Sequence, residues 1–555
     1  MSMFCYQCQE TVGNTGCTMK GVCGKEDQIS NLQDYIVYLL KGISFWAELG
    51  RKADMEDEGV KRFIVESLFA TVTNVNFDAE RMMEIISKGR KLRISLREKV
   101  VKAYESAGKS LPESIPGPAK EDEAGDAAYY ASKGYENGIL ADKDEDIRSL
   151  KWLLIYGMKG IAAYTDHAAI LGKENKDIYH FLQKGLAATL RDDITVDELL
   201  GLVLEAGQTS ISALSLLDEA NTGSYGTPEI TEVFTGLKEG PAIVVSGHDL
   251  LDMEELLEQT KDKGINIYTH GEMLPAHGYP KLNKYPHLAG NYGGSWYKQR
   301  DEFEKFGGAI LMTTNCLQKP KDSYKDRIFT TGLVGWPGVS HIPGRKDGKP
   351  KDFSPVIEKA LELGSVKATE GKKIPVGFNH RTILSLADKI VEAVKAGQIK
   401  KFVVMAGCDG RFKEREYFTE VAEKLPEEAI ILTAGCAKYR YNMLDLGDIG
   451  GIPRVIDAGQ CNDSYSLAVV ALKLAEVFKV EDINDLPIAF DIAWYEQKAV
   501  CVLLALLALG VKNIRLGTTL PAFLSPNVTS VLVDKFDLKP ISDPDTDVEA
   551  MMAGK

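Results

Sequence analysis

Four of the nine cysteines crowd into nineteen residues near the start of the chain. Cys5, Cys8, Cys17 and Cys23 follow the spacing C-x2-C-x8-C-x5-C. Thiols this dense are poor candidates for ordinary core residues, and three chemistries compete for them. Disulfides are disfavoured in a reducing compartment. Four thiolates make a complete structural zinc shell, but zinc modules usually pair two short knuckles and only one C-x2-C is present. An iron–sulfur cube tolerates uneven spacing because its ligands wrap a larger object. Gly13, Gly16, Gly21 and Gly24 leave room for backbone amides to approach cluster sulfur. The spacing therefore favours iron–sulfur over zinc.

A second group is scattered through the later chain, yet its members share one position. His248, Glu272, Cys316, Cys408, Cys436, Cys461 and Glu496 each follow a short strand-like run: Ile243–Ser246, Ile265–Thr269, Ala309–Thr313, Phe402–Met405, Ile430–Thr433, Val455–Asp457 and Ile488–Phe490. In open parallel sheets, ligands bind outside the carboxyl ends of the strands. A glycine immediately before His248, Glu272, Cys408 and Cys436 permits a tight turn there. Alone, each residue reads as a buried thiol or a solvated loop carboxylate. Together they read as one site between two facing sheets. Thiolates favour iron–sulfur chemistry, whereas carboxylate and imidazole suit harder, oxygen-bridged iron. The mixture predicts a part-sulfide, part-oxo centre with an iron that can open to substrate.

The elements that must carry these groups are legible as patterns. Residues 26–220 show helical periodicity. Leu32, Tyr35, Ile36, Leu39, Leu40, Ile43, Trp46 and Ala47 fall on one helix face. Trp152–Tyr164 reads as a more buried helix. Thr195-Val196-Asp197-Glu198 is a capping box with Ile194 and Leu199 as its staple, starting a helix expected to reach about Glu219. The Pro-, Gly- and acid-rich stretch Leu111 to Gly138 reads as a connector between two helical bundles. After Asn221-Thr222-Gly223, β-branched runs alternate with amphipathic helices such as Leu250–Lys263, the signature of parallel α/β sheets. Three regions are expected: 1–222 with the cysteine motif and helical bundles, 223–377 as a Rossmann-like α/β domain, and 378–555 as a second one.

With 555 residues, 44% apolar and 26% charged, the chain has the composition of a multidomain globular protein. Its net charge of −14 argues against non-specific binding to nucleic acid or anionic membranes. The longest fully apolar run, Ala499 to Val511, is too short for a bilayer, and the N-terminus lacks signal-peptide features. The expected compartment is the cytoplasm. No Walker A string occurs, and no G-x-G-x-x-G sits between a strand and a helix.

Several long strings carry a family resemblance. They are Met3-Phe4-Cys5-Tyr6-Gln7-Cys8-Gln9-Glu10-Thr11, His270-Gly271-Glu272-Met273-Leu274-Pro275-Ala276-His277, Thr314-Asn315-Cys316, Ala406-Gly407-Cys408-Asp409-Gly410-Arg411 and Ala434-Gly435-Cys436-Ala437-Lys438-Tyr439-Arg440. Over essentially its whole length the chain resembles the hybrid-cluster (prismane) proteins, or hydroxylamine reductases, of the anaerobe type. The resemblance implies a 4Fe–4S cubane on Cys5, Cys8, Cys17 and Cys23. It implies a hybrid 4Fe–2O–2S cluster on His248, Glu272, Cys316, Cys408, Cys436, Cys461 and Glu496, with Cys408 able to carry an extra sulfur as a persulfide. Lys498 matches a residue beside that cluster. The implied fold is similar to carbon monoxide dehydrogenase: helical bundles followed by two Rossmann-like domains.

The activity implied is two-electron reduction of hydroxylamine to ammonia and water in a monomer, fed by an electron donor the sequence does not name. Glu272, Glu496, Lys498 and His248 are the candidate catalytic groups. Reduction of nitric oxide, or a role in nitrosative stress, uses the same site and is the alternative. Carbon monoxide oxidation is disfavoured by the two glutamates. Cys501 is expected to be a buried helix thiol, His167 and His180 structural or surface residues, and Lys88–Lys99 a solvated helix face. His270 and His277 flank Glu272 and are read equally as proton relays or hydrogen-bonded loop residues.

Overall fold

A computed structural model describes residues 2–555. Its N-terminal part is helical: α1 (Asp27–Arg51), α2 (Glu58–Ala70), α3 (Ala79–Ser106), α4 (Ala127–Glu136), α5 (Glu145–Ile170), α6 (Lys176–Ala188) and α7 (Val196–Tyr225). Local signals set their starts. Asp57, Asp78, Asp126 and Asp144 accept hydrogen bonds from first-turn amides, and the Thr195–Glu198 capping box forms in both directions. The periodic face of α1 is buried from Leu32 through Trp46.

Two expectations are corrected here. The stretch Leu111 to Gly138 does not separate two bundles. It contains α4, which lies on α1 so closely that a Cβ on Gly134 would sit 1.8 Å from the Asn31 carbonyl oxygen. Helices before and after it share one core, in which Ile36, Leu40, Phe63, Tyr130, Leu154 and Leu182 pack together. The acid- and glycine-rich composition hid a helix that needs a small residue at its contact. The last helix also runs past Glu219 to Tyr225. By length and composition α7 could cross a membrane, but in this fold it packs between α5 and the later helix α8 (Gln497–Ala508).

Two parallel six-stranded sheets follow. The first contains β1 (Ala242–Ser246), β2 (Asn266–His270), β3 (Leu288–Asn291), β4 (Ala309–Met312), β5 (Ile328–Thr331) and β6 (Ser340–Ile342), in the spatial order β3-β2-β1-β4-β5-β6. The second contains β7 (Lys401–Gly407), β8 (Ala429–Thr433), β9 (Val455–Asp457), β10 (Ile488–Ala493), β11 (Ile514–Gly517) and β12 (Leu538–Pro540), in the order β9-β8-β7-β10-β11-β12. Both are the doubly wound order, in which the chain reverses direction beside the first strand and leaves a crevice at its carboxyl end. An antiparallel pair, Thr231–Phe234 with Lys373–Val376, ties together the two ends of the segment carrying the first sheet.

Register aligns the strand ends. Ser246 lies opposite His270 and Met312, so the chains leading to His248, Glu272 and Cys316 leave from one edge. Gly407 lies opposite Ala493, and Thr433 opposite Asp457, so those leading to Cys408, Cys436, Cys461 and Glu496 do likewise. The two edges face each other: the Tyr439 hydroxyl, from the second sheet's side, donates to the Gly271 carbonyl at 2.8 Å.

Candidate metal centre

His248, Glu272, Cys316, Cys408, Cys436, Cys461 and Glu496 all line one cavity between the facing edges, joined there by Lys498. The first three come from the switch region of one sheet and the other four from that of its counterpart. The turns depend on glycine: Gly247, Gly271, Gly407 and Gly435 have φ of 109°, 57°, 112° and 87°. At Gly407 a Cβ would lie 2.0 Å from the Ala493 carbonyl oxygen, so any larger residue displaces either Cys408 or the strand leading to Glu496.

Each donor is held by neighbours. His248 Nδ1 lies 2.8 Å from Thr314 Oγ1, and its Nε2 lies 3.0 Å from Lys498 Nζ and 3.7 Å from both Cys461 Sγ and Glu272 Oε2. Glu272 Oε2 accepts from the Cys461 amide at 2.7 Å, while Oε1 has no hydrogen-bond partner among the described residues. Gln460 Nε2 donates to the His248 and Glu272 carbonyls at 3.1 and 2.9 Å, pinning the first sheet's ligand loops to the second sheet. Glu496 caps α8, its Oε2 accepting from the Lys498 amide at 2.8 Å. The Lys498 ammonium donates to Asn315 Oδ1 at 3.0 Å and lies 3.6 Å from Glu496 Oε1. Helix α8 can reach this position because α5 presents Gly160, where a Cβ would stand 2.4 Å from the Gln497 carbonyl.

Electrostatics says what the cavity needs. Burial raises the pKa of the Cys316, Cys436 and Cys461 thiols well above the usual value, and burial and then Glu496 push Cys408 up to about 12. Burial likewise raises Glu272 and depresses His248, with Lys498 adding to the latter. Burial opposes the charge on Lys498 as well, but Cys461 and Glu496 outweigh it and hold the ammonium above its normal range. The four thiols and Glu272 thus converge where their ionised, ligating forms need added positive charge, while His248 is held as the neutral imidazole that ligates metal. The orphaned Glu272 oxygen points to the same requirement. This donor set fits a mixed sulfur- and oxygen-ligated group of metal ions. Among the described residues, His248, Glu272 and Cys461 already offer ligand atoms within 4.8 Å of one another.

The N-terminal cysteines form a second cluster of thiols. Cys5 and Cys17 are bridged by two backbone hydrogen bonds, Cys5 N to Cys17 O at 3.0 Å and Cys17 N to Cys5 O at 2.8 Å. Thr11 Oγ1 lies 3.6 Å from Cys17 Sγ. All nine cysteines are free thiols. The loop folds back onto the later chain: the Gln9 amide donates to the Tyr495 carbonyl at 2.9 Å, Glu10 pairs with Arg411, and Gln497 donates to the Gln7 carbonyl. Cys8 packs with Trp296, Tyr495 and Cys436, so one apolar cluster touches both thiol groups.

Some neighbours escaped the sequence reading. His167 is buried, the structural one of its two expected roles, and its ring stacks on that of His248 with centroids 6.1 Å apart, a contact no sequence pattern marks. Asn315 lies between Lys498, Glu496 and Cys316, and Trp296 and Tyr495 wall the cavity. Asn315 and Tyr495 each adjoin a candidate ligand in sequence, which was the available signal; Trp296 gave none. His270 is held between Ser246 and Glu302, and His277 contacts Thr269 and the Gly290 carbonyl. Cys501 is fully buried in α8 and His180 sits beside Glu56. On α3, Arg93 is buried while Arg97 and Lys99 pair with Asp122 and Asp57 at the surface.

Residues 3–549 match the Prismane/CO dehydrogenase family. The chain belongs to that family. Its relatives include proteins named hydroxylamine reductase from Kosmotoga olearia, 64% identical with 100% of both chains covered, and from Thermosipho melanesiensis, 62% identical over 99% of this chain and 100% of that one. The fold is similar to carbon monoxide dehydrogenase IV from Carboxydothermus hydrogenoformans, with a TM-score of 0.56 at 16% identity over 99% of this chain and 92% of that one. Membership of the prismane family implies iron–sulfur clusters, and the two thiol-rich sites are where this chain has the donors for them.

Proposed function

We propose that the protein reduces hydroxylamine, NH2OH + 2e⁻ + 2H⁺ → NH3 + H2O, at the inter-sheet cavity. The observation carrying this is the convergence there of seven mixed donors beside a buried lysine. The names of the full-length relatives favour hydroxylamine over nitric oxide as substrate. His248, Glu272, Cys316, Cys408, Cys436, Cys461 and Glu496 would hold the hybrid 4Fe–2O–2S cluster, and Cys5, Cys8, Cys17 and Cys23 a 4Fe–4S cubane. Cys408 borders both this cavity and an adjoining apolar one, which leaves space for a persulfide sulfur.

When bound, the hybrid cluster supplies electrons and Lewis-acidic iron to the N–O bond. The chain's own side chains supply protons and charge. Lys498 faces the cavity as an ammonium and stabilises negative charge on the departing oxygen. Glu272 Oε1, free of other partners and on a carboxyl with raised pKa, can hold a proton inside the cavity. Glu496 is tied by Oε2 to the start of α8, so its proton traffic is confined to Oε1, where Asn315 Nδ2 lies 3.4 Å away. Thr314 fixes the His248 ring, and Trp296 and Tyr495 supply the cavity's aromatic wall.

Electrons enter from a donor at the N-terminal thiols, where Cys5 and Cys23 are partly exposed. Free thiols throughout suit a cytoplasmic setting. The test is anaerobic turnover with reduced methyl viologen and hydroxylamine, in which one ammonia should appear per hydroxylamine consumed. Protein loaded with iron at both sites and yet inactive would end the proposal.

A further inference from the structure

Lys25 is 4% exposed, yet its ammonium has no carboxylate partner within salt-bridge distance among the described residues. Its Nζ donates to the Gln33 side-chain oxygen at 2.6 Å and lies 3.9 Å from Cys5 Sγ. Its backbone carbonyl accepts from Gly21 at 2.8 Å, closing the turn that carries Cys23, so backbone and side chain are both anchored in the cysteine loop. A buried charge needs an opposite charge nearby, because removing an ion from water costs several kcal/mol. Gln33 is neutral and cannot supply it. Asp34 attracts the ammonium without forming a salt bridge to it, and the loop thiols Cys5 and Cys23, once ionised, attract it more strongly.

We propose that Lys25 is the counter-ion of the metal group held by Cys5, Cys8, Cys17 and Cys23 and sets its reduction potential. This rests on the reading of those cysteines as cubane ligands. Four thiolates outweigh the positive charge of a cubane core, and reduction adds one more negative charge. A fixed ammonium hydrogen-bonded to a ligand sulfur favours the reduced state, since net charge and hydrogen bonds to sulfur govern such potentials. Burial keeps solvent from screening the effect. A site poised upward in this way accepts electrons readily from an external donor and holds them for the inner site.

The experiment is an anaerobic redox titration of the full-length, iron-loaded protein, followed by electron paramagnetic resonance of the N-terminal cluster. Lys25→Met should lower the reduction equilibrium constant about tenfold, which is about 59 mV for a one-electron couple. Lys25→Arg, which keeps the charge, should stay near the wild-type midpoint. Lys41→Met provides the comparison: Lys41 is also buried, over the Trp152 ring at 5.7 Å, and its loss should leave the midpoint unmoved. If Lys25→Met fails to retain the cluster while Lys25→Arg and Lys41→Met retain it, the need for charge is supported. An unshifted midpoint in loaded Lys25→Met, or equal shifts or equal cluster loss in Met and Arg variants, overturns the proposal. Absence of any cubane signal in wild-type protein would instead overturn the ligand assignment.

Discussion

Replacing Lys498 with methionine tests the proposed chemistry with little change in shape. The ammonium is 2% exposed, sits 3.0 Å from His248 Nε2 and from Asn315 Oδ1, and faces the Glu496 carboxylate at 3.6 Å. Methionine keeps much of the stem and deletes the charge. Removing one preorganised donor aimed at developing negative charge costs about 10²–10³ in kcat. If Lys498 acts on the departing oxygen, kcat and kcat/KM fall together. The change also strips Glu496 of its cation, and breaking a buried pair destabilises by about 3–5 kcal/mol. Iron content and the thermal midpoint must therefore be measured beside turnover. The assay is anaerobic hydroxylamine reduction with reduced viologen, read as ammonia formed. Turnover within about threefold of wild type in iron-loaded Lys498→Met, or a rise in KM alone, would refute the assigned role.

Three further outcomes are expected. Glu496→Gln and Cys436→Ala should each abolish turnover while the N-terminal cluster signal survives; full activity in either would mean the site is elsewhere. Gly407→Ala, with its Cβ driven to 2.0 Å from the Ala493 oxygen at φ 112°, should destabilise by about 1–3 kcal/mol and lower iron at the inner site, as checked by denaturation midpoint and iron analysis. Asp491 gives a pH signature. Burial and then Asp547 raise its pKa to about 8, and neither carboxylate oxygen has a hydrogen-bond partner among the described residues. Between the unfolded value near about 3.9 and that raised value, the folded chain binds the extra proton. Its contribution to stability is thus present at low pH and is lost as pH rises through the folded pKa. Asp491→Asn should raise the unfolding midpoint relative to wild type more at pH 8 than at pH 5. A pH-independent difference would remove Asp491 from the account.

What the sequence disclosed, and what it concealed, follows from the physics of each element. Central parallel strands are buried on both faces, so Ala429–Thr433 and Phe402–Met405 within β7 stand out as apolar runs, and their ligands follow at the carboxyl ends. Edge strands such as Leu538–Pro540 and Ser340–Ile342 are short and part polar, and no periodicity marks them. Helix α1 is legible because one side faces the core, whereas α4 is short and attaches through Gly134 instead of an apolar stripe. The seven donors were visible because each ends a strand. The residues holding them were not: Asn315 as the partner of Lys498, His167 against His248, and Trp296 against Tyr495 arise only when distant segments meet. Lys25 is a further case, since its having no salt-bridge partner among the described residues is a property of the fold.

The proposed chemistry requires two four-iron groups in a single chain, one among the N-terminal cysteines and one shared by sulfur and oxygen donors between the sheets. Anaerobic crystals measured for iron anomalous scattering test it directly. Eight anomalous iron positions are expected, four of them within bonding reach of Glu272, Glu496 and His248 as well as Cys316, Cys408, Cys436 and Cys461. Iron found only beside Cys5, Cys8, Cys17 and Cys23, with nothing next to the two glutamates, would contradict it.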